Sequence, residues 1–542
     1  MIKRLLISLI LILLVAVPCF GTTYNYYFDT GEGAGTCLID DPCATLSAAQ
    51  TKITAGTASD TTNLYFQGGQ TWTCDTEALA GGAACLLVGA SDGIVNILSY
   101  GSGKAIFDGG VSDFSSGAVG TDNCTGAPCR YSGFFKFASP NGSITNVDIK
   151  DVYGDAISLN AADGFTLTNS TIHNIGMAAI TVAYTTGGED NIITYNTIYL
   201  CQQLSLYDKV PDYFWSAGIS LFAHSSGASS MCKNNIIRYN LVYDIYGEGI
   251  AAPNSTIEYN VVGDTSSIAI DTAAHDFDTL TAVVAYNFII QSDWSTSDYE
   301  GMAGSGEHGI RVYDEATGGD NSAADISVYG NTIINRSRGI WFFCAEECNN
   351  PFGSVKIYNN LIIDSHAENI AVHNPEEANA AYVYNNASIR YDRAGAHTNN
   401  LSHENWAIDN NAFYPVDGSN TIGTGDWYNN YVTGDPLLPG EPSIDWDGQT
   451  GAGYYNAIEY TTHLYPISGS LIQAGLILNP ADYEQTFLTT GSDFSDVLNW
   501  PTGIDEAEQS LTLPDIGPWA RGTSDPVPLY PIQGAAGNFK YN

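Results

Sequence analysis

The chain has 542 residues, of which 59 are acidic and 18 basic, giving a formal net charge of −41 at neutral pH. Charged residues are only 14 % against 44 % hydrophobic, which excludes a disordered acidic tail and describes a folded domain with an acidic surface. Nucleic acid is excluded as an expected partner, because phosphate binding needs a basic patch. A polyanionic sugar is repelled too unless divalent cations intervene, which leaves neutral glycans or acidic ones bridged by calcium.

The first 21 residues read as a signal peptide: Met1-Ile2-Lys3-Arg4, the apolar run LLISLILILLVAVP, then the small residue Gly21. A lipobox at Cys19 stays open, although Pro18 stands where that motif has Gly, Ala or Ser. Losing Lys3 and Arg4 takes the charge to −43, two below the full chain. No later apolar run is long enough to span a bilayer. A secreted, extracellular or periplasmic monomer is expected.

Ten cysteines follow residue 21, in sequential neighbours: Cys37 with Cys43, Cys74 with Cys85, Cys124 with Cys129, Cys201 with Cys232, and Cys344 with Cys348. An even count and short loops after an export signal read as loop-stapling disulfides. A metal site is the weaker reading, because no CxxC is present.

From residue 146 a short pattern recurs: Asn, any residue, then β-branched or apolar residues. It appears at Asn146, Asn169, Asn196, Asn240, Asn260, Asn287, Asn331, Asn360, Asn386 and Asn411, in steps of 23, 27, 44, 20, 27, 44, 29, 26 and 25 residues. A second strand follows each, opening on a small residue and Ile: Ile157, Ile180, Ile219, Ile250, Ile268, Ile310, Ile340 and Ile370. Alternation over three to five residues rich in Ile and Val means strand. A repeat near 25 residues means a solenoid, in which equivalent side chains stack about 4.8 Å apart and build a core no single coil could bury.

These repeats resemble the right-handed parallel β-helix proteins of the pectate-lyase-like superfamily. The flanks agree with the resemblance. YYFDTGEGAGTCLIDDPCATLSAAQTKI, residues 26–53, is similar to the segment that opens such helices, with a capping helix near Thr45 to Ile53. LYFQGGQTWT and ILSYGSGKAIFDGG are similar to first coils, and GDPLL, LYPISGSLIQAGL and LPDIGPWA to a closing segment. The expected class is all-β. Residues 1–21 are the signal, 22–145 the cap and first coils, 146–411 the central repeats, and 412–542 the last coils and closing segment. The resemblance is specific for fold and weak for activity, since this scaffold hosts many functions.

Two coils carry matched insertions, Asn196 to Ile219 and Asn287 to Ile310, each 23 residues. They lie roughly 14 Å apart along the axis by the strand spacing. They are expected to form two walls of a groove, faced by Tyr207, Tyr213, Trp215, Trp294 and Tyr299, which suit sugar rings. Small residues, Ser220, Ala251 and Ala269, are expected on its floor. Beside it come Glu307, His308 and Arg311, with Glu248 and Asp271 on adjacent coils. These five are the catalytic candidates. Trp215, Tyr213, Trp294, Trp341, Tyr313 and His275 are the substrate-binding candidates.

A lyase needs a base near the sugar C5 proton, with the sugar carboxylate neutralised by calcium or Arg. His308 or Arg311 is the candidate base, and Asp271 with Glu248 the candidate calcium holder. A hydrolase instead needs two carboxylates, drawn from Glu248, Asp271 and Glu307. The resemblance thus implies a secreted protein that binds and cleaves an extracellular polysaccharide, by elimination or hydrolysis. The alternative is a non-catalytic surface, matrix or adhesin-like carbohydrate-binding protein.

Overall fold

The computed structural model of the chain describes residues 21–429 except 75–83, 112–113, 115–132, 161, 183–187, 207–216, 223–231, 273–280, 292–307, 315–324, 345–353, 364, 366, 374–380, 385, 390–394, 400–405, 410, 415–419 and 422–427. Three long sheets run through it, of sixteen, twelve and twelve strands among the described residues. The first includes Thr23–Phe28, Thr61–Gln67 and Ile94–Tyr100. The second runs from Thr71–Thr73 to Ala412–Tyr414, and the third from Leu86–Val88 to Asn420–Thr421. Within each sheet every coil pairs parallel with the next, as at Ile192↔Ile236, Thr197↔Leu241 and Ile219↔Ile250. An antiparallel pair, Ala34–Leu38 with Asp41–Cys43, sits at the N-terminal edge.

The N-terminal end is covered as the sequence leads one to expect. Thr45 caps the helix Leu46–Thr54, its hydroxyl accepting from the Ala48 N–H at 3.1 Å. Ala49 and Ile53 turn inward and close the core, which leaves less open edge for other chains to pair with. LYFQ lies in the strand Thr61–Gln67, where Thr62, Leu64 and Phe66 alternate inward.

The interior is a stack of ladders. On the third sheet Leu86, Phe135, Ile157, Ile180, Ile219, Ile250, Ile270, Ile310, Ile340 and Ile370 follow one another in register, all buried. Each such side chain contributes about 1.5–3 kcal/mol by leaving water. The rung at this coil is Ile270, not the expected Ile268, so the alternation shifts by two residues. The small residue before each Ile has a steric reason. A Cβ on Gly249 would stand 2.6 Å from the Ala269 carbonyl oxygen, and one on Gly309 2.5 Å from that of Gly339.

The asparagine spine is present at the corner between first and second sheets. Asn240 donates both its backbone N–H and its Nδ2 to Asn260 Oδ1, each at 3.0 Å. Asn260 does the same to Asn287, and the pattern continues through Asn331, Asn360 and Asn386 to Asn411. Asn146 and Asn169 stand one residue ahead of this line. They pair with each other, and Ser170 takes the spine position, its N–H bonding Asn196 Oδ1 at 2.9 Å.

From Asn196 to Asn360 the residue before each spine Asn holds the left-handed conformation, and in four of these coils it is Tyr195, Tyr239, Tyr259 or Tyr286. Their rings stack 5.0–5.2 Å apart. The next coil uses Gly330 there, with φ +65°, and its tyrosine moves back to Tyr329. A Cβ on Gly330 would lie 2.4 Å from the Tyr286 ring, so glycine makes room for the stack.

Cys37–Cys43 and Cys74–Cys85 are disulfides, as expected. Cys201 is not: it keeps a buried thiol. Its side chain belongs to the apolar interior, in register with Ile245, and burial pushes the thiol pKa up, so it behaves as a small core hydrophobe. Cys124, Cys129 and Cys348 lie outside the described residues, as does the side chain of Cys344.

Two predictions follow from the interior. Asn260→Leu removes the acceptor of two Asn240 donors and the donor to Ile237 O, leaving buried polar groups unsatisfied. A loss of about 3 kcal/mol is expected from the urea midpoint, against under ~1 kcal/mol for Asn169→Ala. Burial pushes the Asp155 carboxyl up to about 7, although it accepts from the Ala178 N–H at 3.0 Å. Its folded pKa is above its unfolded one. Its contribution to stability is therefore full below pH ~4 and lost as pH rises through ~7. Asp155→Asn should stabilise the protein at pH 8 by up to about 4 kcal/mol, with the gap closing toward pH 4 in parallel denaturation series.

Candidate functional site

The chain places its length variation selectively. From the coil of Thr166–Thr168 onward only two residues intervene between first-sheet and second-sheet strands, as at Thr194 to Thr197 and Ala285 to Phe288. The long connections leave from the corners that flank the third sheet: Leu206 to Ala217, Asp271 to Thr281, Ile290 to His308, Asp314 to Asp325 and Cys344 to Ser354. The long connections therefore leave from both edges of the third sheet, and connections are where binding residues concentrate on such scaffolds.

The residue after each ladder isoleucine forms an outward column. In order it reads Lys136, Ser158, Thr181, Ser220, Ala251, Asp271, Arg311, Trp341 and Ala371. Two residues before the isoleucine stand Ala217, Glu248, His308, Arg338 and Glu368. The two columns touch. Arg311 Nε donates to Asp271 Oδ1 at 3.0 Å and Nη2 to Asp271 Oδ2 at 2.5 Å, while Nη2 reaches Glu248 Oε1 at 3.3 Å. The His308 and Trp341 rings lie 4.2 Å apart, and Arg338 Cζ lies 5.4 Å above Trp341. Arg338 Nε donates to Glu368 Oε2 at 2.6 Å.

Sequence reasoning placed Arg311 beside Ala269 and Trp341. Trp341 is its neighbour, but on the other side stands Asp271, because the ladder runs through Ile270; Ala269 is buried instead of flooring a groove. Of the catalytic candidates, Glu248, Asp271, His308 and Arg311 converge. Glu307 lies outside the described residues, as do Tyr207, Tyr213, Trp215, His275, Trp294, Tyr299 and the side chain of Tyr313.

The geometry reassigns two expected roles. A guanidinium held by a two-point carboxylate contact is stabilised in its charged form, which makes Arg311 a poor base. The same guanidinium fills the space between Glu248 and Asp271, where calcium was expected. Both carboxylates meet one nitrogen, so these two oxygens are at most about 5.8 Å apart. His308 is wholly buried against Trp341.

Three participants were missed. Arg338 and Glu368 frame Trp341. The fully buried Arg336 donates through Nη2 to Thr265 Oγ1, Ser267 O and His308 O at 2.9, 2.7 and 3.0 Å, and through Nη1 to Gln291 Oε1. It thereby fixes the start of the strand that carries Arg311. The run Arg336-Ser337-Arg338 in so cation-poor a chain was the available signal.

The family described as right-handed beta helix region matches residues 96–282. The protein is a right-handed parallel β-helix. Solved structures of similar fold include pectate lyase Pel9A, at 12 % identity over 93 % of this chain and 98 % of that one, with a TM-score of 0.44. XylC in complex with xylose aligns at 12 % identity over 77 % and 88 %, with a TM-score of 0.46. The alginate lyase of Paenibacillus sp. str. FPU-7 aligns at 15 % over 61 % and 93 %, with a TM-score of 0.38. No curated protein matches this chain in sequence. Among the described residues no helix is long and apolar enough to cross a membrane.

If the Arg311 contacts hold the two carboxylates together, Arg311→Met leaves both buried without their cation. A loss of about 3–5 kcal/mol is expected. Arg311→Lys should recover only part of it, since an ammonium cannot make the two-point contact. Chemical denaturation of the three proteins measures both.

Proposed function

We propose that this β-helix protein is exported and that it binds and cleaves an extracellular polysaccharide along the outer face of its third sheet. The observation that carries this reading is the outward column itself. Small side chains, Ser220 and Ala251, run into the Asp271–Arg311–Trp341 group, on a sheet with long connections at both edges. Trp341, partly exposed, offers a flat apolar face to a sugar ring. Arg311 offers donors to ring hydroxyls and to a leaving oxygen, and Glu248 and Asp271 are the carboxyl pair. Glu248 meets the guanidinium less closely than Asp271 does, which favours Glu248 as the proton-transferring member. The two disulfides, the acidic surface and the N-terminal segment support export.

A second reading, a non-catalytic carbohydrate-binding surface or matrix protein, is favoured by one observation: both Asp271 oxygens already bond Arg311. The purified protein incubated with a glycan panel separates the two. Cleavage predicts new reducing ends or unsaturated-uronate absorbance on at least one polymer, reduced at least ~100-fold in Glu248→Gln with binding retained. Binding without products supports the second reading. No binding to any glycan overturns both.

A further inference from the structure

We propose that residues 430–542 dock lengthwise on the outer face of the second sheet, along the half that runs from Leu241 to Ile389. The outward residues of that sheet form two columns. One begins Asp148, Thr171 and Thr197 and turns to Leu241, Val261 and Phe288. The other begins Lys150, His173 and Tyr199 and reaches Ile290, Ile334 and Ile363. Both alternate with inward residues such as Ile172, Val242, Ile289 and Ile333, which belong to the core. The N-terminal half of the sheet thus has one apolar and one polar face, while the C-terminal half is largely apolar on both. That second pattern is the one of a parallel sheet covered on both faces.

Burial changes at the same place. Asp148, Lys150, His173 and Tyr199 are partly exposed, whereas Leu241, Val261, Phe288, Ile290, Ile334 and Ile363 are at most 2 % exposed. The tyrosine stack at the adjoining corner follows: Tyr195 is 40 % exposed, and Tyr259 and Tyr286 are each 3 %. The covered strip runs through the coils of Leu241, Val261, Phe288, Thr332, Leu361 and Ala387, about 24 Å at the coil spacing. A soluble chain does not leave so long an apolar strip in water. This burial is complete within a single chain, so the cover belongs to the same chain.

The connections at the edges of this sheet are too short to supply it. On one edge each turn has two residues, as at Ala285 to Phe288, and on the other Thr265 to Ile270, Ile334 to Arg338 and Ile363 to Glu368 leave three or four between strands. One longer connection, Ile290 to His308, leaves that edge and must return within its own coil. Asp271 to Thr281, Asp314 to Asp325 and Cys344 to Ser354 leave from the corner opposite the second sheet. The chain ahead of Thr23 joins the first coil, at the far end from the covered half. What remains is the chain after the strand Tyr428–Asn429, which stands on the coil beyond Ala412, at the end of the stack where the covered half lies. It has 113 residues, 542 less 429, and apolar runs such as LIQAGLIL at 471–478. A compact chain of that length has a radius of gyration of about 13 Å, enough to cover such a strip.

The test replaces Ile334, Ile363 or, as the control in the open half, His173 with the photo-reactive p-benzoylphenylalanine in the full chain, and maps the cross-linked peptides by mass spectrometry. The first two positions are expected to cross-link within 430–542, and the control position is not. Cross-links from Ile334 and Ile363 to the Ile290–His308 connection or to a second copy instead, or none at all, overturn the proposal. A second measurement keeps the native side chains: a thrombin site is inserted after Asn429 and the cleaved protein is passed over a sizing column. The two fragments are expected to co-elute, and Ile363→Asp, which sets a charge on the apolar face, to release the tail. Separation of the fragments without that substitution overturns the proposal even where the photo-reactive variants do not fold.

Discussion

Everything in this molecule depends on one hydrogen-bonded position repeated along its axis. From Asn240 on, each spine asparagine turns its side-chain oxygen toward the preceding coil and accepts two donors there, a backbone N–H and an amide N–H. The corner that this residue occupies is buried, so its backbone groups must be satisfied internally. A side chain one carbon long with both a donor and an acceptor does this within a two-residue turn. The spine tolerates steps from 20 to 44 residues because the extra length leaves elsewhere. That constraint sends every long connection to the flanks of the third sheet, and so decides where a ligand can sit.

The fold was largely legible because its signal is periodic. A buried asparagine followed by β-branched residues, with a small residue and isoleucine some ten positions on, names both the corner and the third sheet. What slipped was register by one or two residues. Asn146 and Asn169 look like spine members, yet they occupy the left-handed position just ahead of it, where asparagine is also favoured. Ile268 and Ile270 are chemically equal, and only pairing with Ile250 and Ile310 chooses between them.

That small slip controlled the reading of the site. With Ile268 as the rung, Arg311 would neighbour an alanine and stand as an unmatched cation. With Ile270, it meets Asp271 and, through the same Nη2, Glu248. Pattern can bring four residues to one face, but whether an arginine is a base, a ligand for an anion or one member of an ion-paired group is a matter of about 5 Å. Arg338 and Glu368 escaped notice for a related reason, since their partnership spans 30 residues of sequence.

The amide chain also has a direction. In the bonds to the side-chain oxygens the donors come from the coil nearer the N-terminus and the acceptor from the coil beyond it, so the two ends of the stack are chemically different. Ser170, without a carboxamide, starts the chain by donating only its main-chain N–H. Asn411, at the far end of the described series, accepts from Asn386 and, like Asn240 and Asn260, returns its Nδ2 to a carbonyl of the preceding coil, Val383 O. A lineage of such proteins can therefore lengthen by copying a whole unit from one asparagine to the next, whatever loops it carries, while a unit inserted in any other frame would break the line at two joints.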